Sequence, residues 1–223
     1  MKREIIVTGD GSKTIFIEDL NEHYHSKHGA INEALHVFIK NGLQLFQARE
    51  ISILEVGFGT GLNALVTLFN AKQLQLKVTY VGVEAYPVSK TEINQLNYPD
   101  QLEQAGAKET FNKLHETEWE IKHEINADFT LTKRKQLFKD IKDVAAFDLI
   151  YFDAFGPRVQ PDLWTEAIFV KMYTALKAHG VLVTYSAKGS VRRAMQASGF
   201  QVEKLPGPPG KREMLRALKR VDK

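Results

Sequence analysis

The sequence predicts an open, mostly parallel α/β sheet with helices on both faces. Three observations carry that expectation. Short apolar runs of strand type alternate with helix-type segments along most of the chain. One run, ISILEV, opens directly into the glycine turn GFGTG, and another, FDLIYFD, ends on an aspartate. The chain closes with FQVEKLP and KREMLRALK around GPPG, which suits a final antiparallel pair.

The elements follow in order. REIIVTGDGSKTIFIED reads as a hairpin around Gly9-Asp10-Gly11-Ser12. A helix with apolar positions Ile31, Leu35, Phe38 and Ile39 ends near Asn41-Gly42. ISILEV and KVTYVGVE are strands, followed by helices LNALVTLFNAKQ and VSKTEINQLN. WEIKHEI is a strand, and the charged TKRKQLFKDI reads as helical. FDLIYFD is a strand, PDLWTEAIFVKMYTALK a helix, GVLVTYS a strand and GSVRRAMQASGF a helix closed by glycine. KREMLRALK is a strand or a short helix. LPGPPGK is a turn rather than a linker, so residues 1–223 form one domain: an extension, 1–45, and a core, 46–223.

A chain of 223 residues with 43% hydrophobic and 26% charged residues can bury one sizeable core. The absence of cysteine excludes disulfides, zinc–thiolate sites and a thiol nucleophile. There is no run of 18 apolar residues, and MKREIIVTGDGSK lacks a signal peptide's apolar core, so a cytoplasmic protein without membrane contact is expected. From Lys188 onward ten Lys/Arg face three Asp/Glu, and Lys133, Arg134, Lys135, Lys139 and Lys142 form a second basic cluster. Such clusters fit a polyanion or a merely solvated face. His25 and His28 have no metal-ligand spacing, and YHSKHGA is placed to fold over a ligand.

EVGFGTG places Gly57, Gly59 and Gly61 straight after a strand, where backbone N–H groups meet a ligand at a helix start. A dinucleotide fingerprint has its third glycine one residue later. Glu55 would repel a pyrophosphate and attract a cation, so S-adenosylmethionine, with its sulfonium and ammonium groups, fits better. Glu84 ends the next strand, where an acid accepts the ribose hydroxyls. Asp128, in NADF, is the candidate for the adenine amine. Asp153 stands at the carboxyl end of a buried strand, in the usual ligand crevice. Phe155 and Trp164 flank it, with Tyr24 from the extension, as candidate platforms for a flat base.

LEVGFGTGLNAL, VGVEAYP, YFDAFGPRVQPDLWT, YSAKGSVRRAMQASGF and LPGPPGKREMLRA together resemble one family. It is the methyltransferases that form 5-methylaminomethyl-2-thiouridine in tRNA, MnmD-type enzymes equivalent to the methyltransferase domain of MnmC. The resemblance implies a Rossmann-like class I methyltransferase with a seven-stranded sheet and a small N-terminal hairpin extension. It implies transfer of a methyl group from S-adenosylmethionine to the primary amine of 5-aminomethyl-uridine at the wobble position. Gly57, Gly59 and Gly61 would then line the methionine part, Glu84 the ribose, Asp128 the adenine, and Asp153 the target amine. The family's D-G-F-A-P reads D-A-F-G-P here. An anticodon loop would be the partner, with Lys188, Arg192, Arg193, Lys211 and Arg212 on phosphates. No flavin-sized region is evident, so a separate enzyme would supply the aminomethyl group.

Asp153 is expected to orient the amine and stabilise its developing charge, because an ordinary Asp, with pKa about 3.9, is a weak base. The alternatives are an aminopropyltransferase or small-molecule N-methyltransferase on the same fold, a nicotinamide oxidoreductase, and a non-catalytic RNA-binding module. Basic segments near the site disfavour a polyamine acceptor, and the glycine spacing with Glu55 disfavours the nicotinamide reading.

Overall fold

The computed structural model describes residues 2–220. The extension is a small antiparallel sheet of β1 (Arg3–Val7), β2 (Lys13–Ile17) and β3 (Glu22–His23), in that order. Its third strand adds to the expected hairpin. Helix α1 (Ala30–Ala34) continues as a wider π turn, Leu35–Lys40, and stops where Asn41-Gly42 predicts.

The core alternates as expected. It runs β4 (Glu50–Val56), α2 (Leu62–Gln73), β5 (Lys77–Val83), α3 (Lys90–Ile93), α4 (Tyr98–Leu102), α5 (Ala107–Glu116), β6 (Lys122–Asn126) and β7 (Phe129–Arg134). Then come β8 (Phe147–Phe152), α6 (Glu166–Ala175), β9 (Leu176–Thr184), α7 (Gly189–Ala197), β10 (Gln201–Pro206) and β11 (Glu213–Leu218). Among the described residues these strands form an eight-stranded sheet, β10-β11-β9-β8-β4-β5-β7-β6. The run from β9 to β7 is parallel. β11 is antiparallel to both of its neighbours, and β6 is antiparallel to β7.

Strand residues alternate between the two faces. Ile53 packs with Phe38, Leu65 and Leu114, under α2, α5 and the π turn. Leu54, the next residue, packs with Phe169, Met172 and Met195, under α6 and α7. Helices cover both sides, which is why β8 is buried along its whole length and β4 from Ile53 onward. Among the described residues, no helix is long and apolar enough to cross a membrane.

The count of strands differs from seven because of residues 122–134. The stretch read as the strand after KVTYVGVE, WEIKHEI, forms the reversed edge strand β6. The parallel place beside β5 belongs to β7, whose last residues were expected to begin a helix. Phe129, Leu131 and Lys133 are buried in strict alternation, a strand period hidden by charge. Lys133 is 2% exposed; its Nζ donates to the His115 carbonyl at 2.9 Å and lies 5.2 Å from the Trp119 ring centre. Where TKRKQLFKDI was expected to be helical, a short 3-10 turn, Phe138–Asp140, follows the strand.

Candidate active site

The carboxyl ends of β4, β5 and β8 open into a cavity of about 500 Å³. That volume is in the range of small-molecule sites. Its floor is Gly57, Phe58, Gly59, Glu84, Asp153 and Ala154. One wall is the N-terminal sheet, through Arg3, Ile17, Leu20, Tyr24 and His25. The opposite side is Leu137, Phe138 and Lys139 with the segment from Gln160 to Leu163.

The glycine loop can make this floor only with glycine. Gly57 has φ +99°, and a Cβ there would lie 2.5 Å from the Asp153 carbonyl oxygen, so the loop rests directly on the end of β8. Gly59 also borders the cavity, and its N–H donates to Glu84 Oε2 at 3.1 Å. Glu84 Oε1 accepts from Tyr86 N at 2.9 Å, so one carboxylate ties the loops after β4 and β5. Gly61, expected to line the cavity, does not. With φ +72° it turns the chain into α2, and its free side faces His115.

Glu55 is also displaced from its expected role. It is 0% exposed and points beneath the loop, where Oε1 accepts from Asn63 Nδ2 at 2.8 Å and Oε2 from the Tyr80 hydroxyl at 2.9 Å. Burial pushes its carboxyl well above the usual range, with nearby Asp153 adding to the rise. Glu55 is not among the residues that line the cavity. The same Asn63 Nδ2 donates to Asp153 Oδ2 at 2.8 Å.

Asp153 faces the cavity, and burial lifts its pKa to about 7. Glu33 adds to the rise, while the Asn63 hydrogen bond and Lys211 oppose it. Its proton affinity therefore differs from that of the ordinary aspartate expected from the sequence: low dielectric and the Glu33 carboxyl both favour the neutral acid.

Phe155 lines the cavity and meets Tyr24 edge-on, with ring centres 4.9 Å apart. Trp164 is core instead. It is 4% exposed, packs on Phe152, Phe169 and Tyr185, and donates from Nε1 to the Phe155 carbonyl at 2.8 Å. It shapes the loop from behind. Asp128 lies in the β6–β7 turn at the far end of the sheet, exposed, with its carbonyl accepting from Val78 N at 2.8 Å. It cannot reach an adenine on this floor. Leu137, 39% exposed, and Phe138 hold the corresponding place after β7.

None of Lys188, Arg192, Arg193, Lys211 and Arg212 lines the cavity. Lys188, Arg193 and Arg212 are exposed. The connections that carry Lys188 and Arg212 leave the same end of the sheet as the glycine loop. Arg192 is half-buried, and its Nε has no hydrogen-bond partner among the described residues. Lys211 is committed inside, paired with buried Glu33 and 3.8 Å above the Tyr185 ring centre. The second basic cluster also breaks up: Arg134 pairs with Asp143, and Lys139 borders the cavity.

Several cavity residues escaped the sequence reading: Arg3, Ile17, Leu20, Asn63 and Leu137. Asn63 alone carried a signal, as a polar residue inside the apolar helix LNALVTLF. His25, in the segment placed over the ligand, is a buried wall residue with its pKa pushed down to about 4, chiefly by burial.

A parallel sheet with one reversed strand beside its last parallel one, a glycine loop after β4 and an acid at the end of β5 define a Rossmann-like methyltransferase. A family model described as S-adenosyl-L-methionine-dependent methyltransferase matches residues 98–220, over half of the chain, and the protein belongs to that family. The cofactor of the family is S-adenosylmethionine. The cavity's size and its two glycine-lined backbone edges fit that molecule.

Among curated relatives, the tRNA 5-methylaminomethyl-2-thiouridine biosynthesis bifunctional protein MnmC of Aromatoleum aromaticum is 32% identical, over 88% of this chain and 32% of its own. The protein of the same name from Cupriavidus metallidurans is 31% identical, over 95% of this chain and 33% of its own. The chain thus spans about a third of the length of these relatives. The crystal structure of MnmC2 from Aquifex aeolicus superposes with a TM-score of 0.81 at 29% identity, covering 99% of this chain and 72% of that one. Spermidine synthase from Thermotoga maritima, at 0.53 and 14%, shares the fold alone.

Proposed function

We propose that this methyltransferase acts on the primary amine of 5-aminomethyl-(2-thio)uridine at the wobble position of tRNA, yielding the methylaminomethyl nucleoside. The observation that carries the reading is Asp153: a cavity-facing carboxyl at the end of β8, tied on one oxygen and abutting the glycine loop. The names of the MnmC relatives and of MnmC2 supply the substrate class.

The residues divide the work. Gly57 and Gly59 offer backbone to the methionine part, Glu84 accepts the ribose hydroxyls, and Leu137 and Phe138 cover the adenine. S-adenosylmethionine, when bound, supplies an electrophilic methyl carbon. An alkylammonium has no lone pair, so the amine must first lose a proton. The ionised Asp153 carboxylate draws the ammonium in and accepts that proton, a transfer favoured by its raised pKa of about 7. The neutral amine is then held in line by the same carboxyl group, and the surrounding walls exclude water. Phe155 and Tyr24 flank the base, while Lys188, Arg193 and Arg212 contact phosphates outside the cavity. The setting is cytoplasmic, and the aminomethyl group is already on the base before this step.

The test is a nucleoside digest of undermodified tRNA after incubation with protein and S-adenosylmethionine. The expected product is a methylaminomethyl nucleoside. Cofactor turnover with no mass gain on the tRNA would overturn the substrate assignment.

A further inference from the structure

The acid of the glycine-loop motif was expected to serve the cofactor. Its position gives it a different partner. Glu55 on β4, Asn63 on α2 and Asp153 after β8 form one hydrogen-bonded chain, buried at Glu55 and Asn63 and open to the cavity at Asp153, closed behind by Tyr80 on β5. Both Asn63 bonds leave from the same atom, Nδ2, at 2.8 Å to Glu55 Oε1 and 2.8 Å to Asp153 Oδ2. An amide nitrogen has two hydrogens, and here each is used. Asn63 is 2% exposed, and its Oδ1 is buried with no hydrogen-bond partner among the described residues. Its orientation therefore leaves its own acceptor unsatisfied and serves the two acids. On Asp153, Oδ2 is taken and Oδ1 accepts no hydrogen bond from the described residues, so Oδ1 is the oxygen left for the cavity.

We infer that Asn63 is the positioning residue of the catalytic aspartate, and that buried Glu55 holds Asn63 in register from below. The inference rests on the role given to Asp153 above. Glu55 fixes which way the amide points, because only an acceptor beneath it keeps Nδ2 between the two acids. Asn63 fixes which oxygen of Asp153 meets the amine. Tyr80 donates to Glu55 and so keeps that acid from rotating away.

Charged and titratable groups around Asp153 come from several elements, and each bears on the test. Glu33 on α1 raises its proton affinity, while Lys211 in the β10–β11 turn lowers it. The hydroxyls of Tyr80, Tyr98 and Tyr185 and the carboxyl of Glu55 feel its charge. Asn63 is the hydrogen-bond donor among these influences, and it favours the ionised carboxylate. Losing that donor raises the Asp153 pKa and moves the acid limb of kcat/KM to higher pH. A group that only supported the fold would leave the limb in place.

The experiment compares Asn63→Ala, Asn63→Asp, Glu55→Leu and Glu55→Gln in the full chain. Readouts are the pH profile, cofactor affinity and melting temperature. Asn63→Ala is expected to lower kcat about tenfold to hundredfold, the scale of a misplaced reacting group, with cofactor affinity held and the limb moved up in pH. Asn63→Asp keeps the size of Asn63 and loses the donor, so a folded variant should show the same upward move. Glu55→Leu should lower kcat several-fold, and Glu55→Gln, which keeps an acceptor under Asn63, should restore most of it.

Folded Asn63 variants with an unmoved limb would overturn the inference, as would Glu55→Gln behaving like Glu55→Leu. Asp153→Asn, run alongside, separates the two readings. If it abolishes turnover while the Asn63 variants do nothing, the positioning claim falls and the role of Asp153 stands. If Asp153→Asn is itself fully active, the role of Asp153 falls.

Discussion

The floor of the cavity is made of strand ends held by the parallel ladder, whereas the facing wall belongs to a separate small sheet that reaches the floor through side chains. Asp153 N donates to the Val56 carbonyl at 2.9 Å, and Gly57 N to the Val83 carbonyl at 3.0 Å, so the floor continues the sheet. The wall meets the floor loop through Arg158, which donates to the Asn21 carbonyl at 3.1 Å and lies 3.5 Å from Glu22, and through the Tyr24–Phe155 contact. Their electrostatics are opposed as well. Burial raises the floor's Asp153 to about 7 and lowers the wall's His25 to about 4. The floor thus hangs on the strand ladder, and the wall joins it through side chains, His25 and Tyr98 linking Thr14 of β2 to Thr60 of the glycine loop.

The largest test of the floor is Asp153→Asn. It preserves size and removes the proton acceptor, and kcat should fall by about 10²–10³, the scale of losing one preorganised polar group. Cofactor affinity should hold. The limb of kcat/KM near pH 7 reports the free enzyme and should vanish with the carboxyl. If it persists unchanged, it belongs to the substrate amine.

Glu84→Ala comes next. Two N–H groups lose their acceptor, and so would two ribose hydroxyls; hydrogen bonds to charged groups contribute about 1.5–3 kcal/mol. Calorimetry should show the S-adenosylmethionine Kd rising by about tenfold to hundredfold. An unchanged Kd in a folded variant would remove Glu84 from the cofactor site.

The floor was legible in the sequence and the wall largely was not, for one physical reason. β4, Gly57, α2, β5 and β8 are specified locally, by period, a glycine turn and a terminal acid, and α2 spans the expected 62–73. The wall depends on tertiary approach: nothing local in Arg3 or Leu20 says that a small sheet folds against the loop after β8. The failures inside the core are of the same kind. Lys133 looked like surface because lysine is rarely buried, yet the His115 carbonyl and the Trp119 ring accommodate it within β7. That strand displaced Asp128 to the wrong end of the sheet. Glu55 was placed correctly on its strand, but the sequence does not say which side of the loop its carboxyl takes.

The opposed pKa shifts give a stability test, each pKa unit of difference between folded and unfolded chain being worth about 1.4 kcal/mol. Asp153 is raised above its unfolded value of 3.8, so its contribution is complete below that value and is lost as pH rises through about 7. Asp153→Asn should therefore melt a few degrees higher than the parent at pH 8 while being catalytically poor. His25 is depressed below 6.5, so its contribution is complete above that value and is lost as pH falls through about 4. His25→Gln should flatten the loss of melting temperature in that window, leaving a remnant from His115, also lowered to about 4 by burial. Parallel pH curves for parent and variants would mean the two groups do not differ between the folded and unfolded chain.

The smallest effect should come from the attachment itself. Arg158 is 60% exposed and its partner Glu22 27%, so their ion pair is screened by water and contributes about 0–1 kcal/mol. Arg158→Ala should leave the melting temperature within a few degrees, and raising salt should shrink even that difference. Cofactor affinity should not change, because Arg158 bonds to Asn21 and Glu22 and to neither Glu84 nor the glycine loop. The tRNA kinetics are where this variant should register: a looser wall admits and releases the nucleotide more readily, so KM should move several-fold while the pH limb set by Asp153 stays in place. A loss well above 1 kcal/mol, or a shifted limb, would mean that the wall is locked to the floor as firmly as the strands are to one another. The nucleotide would then have to enter past Leu137 and Lys139 on the other side.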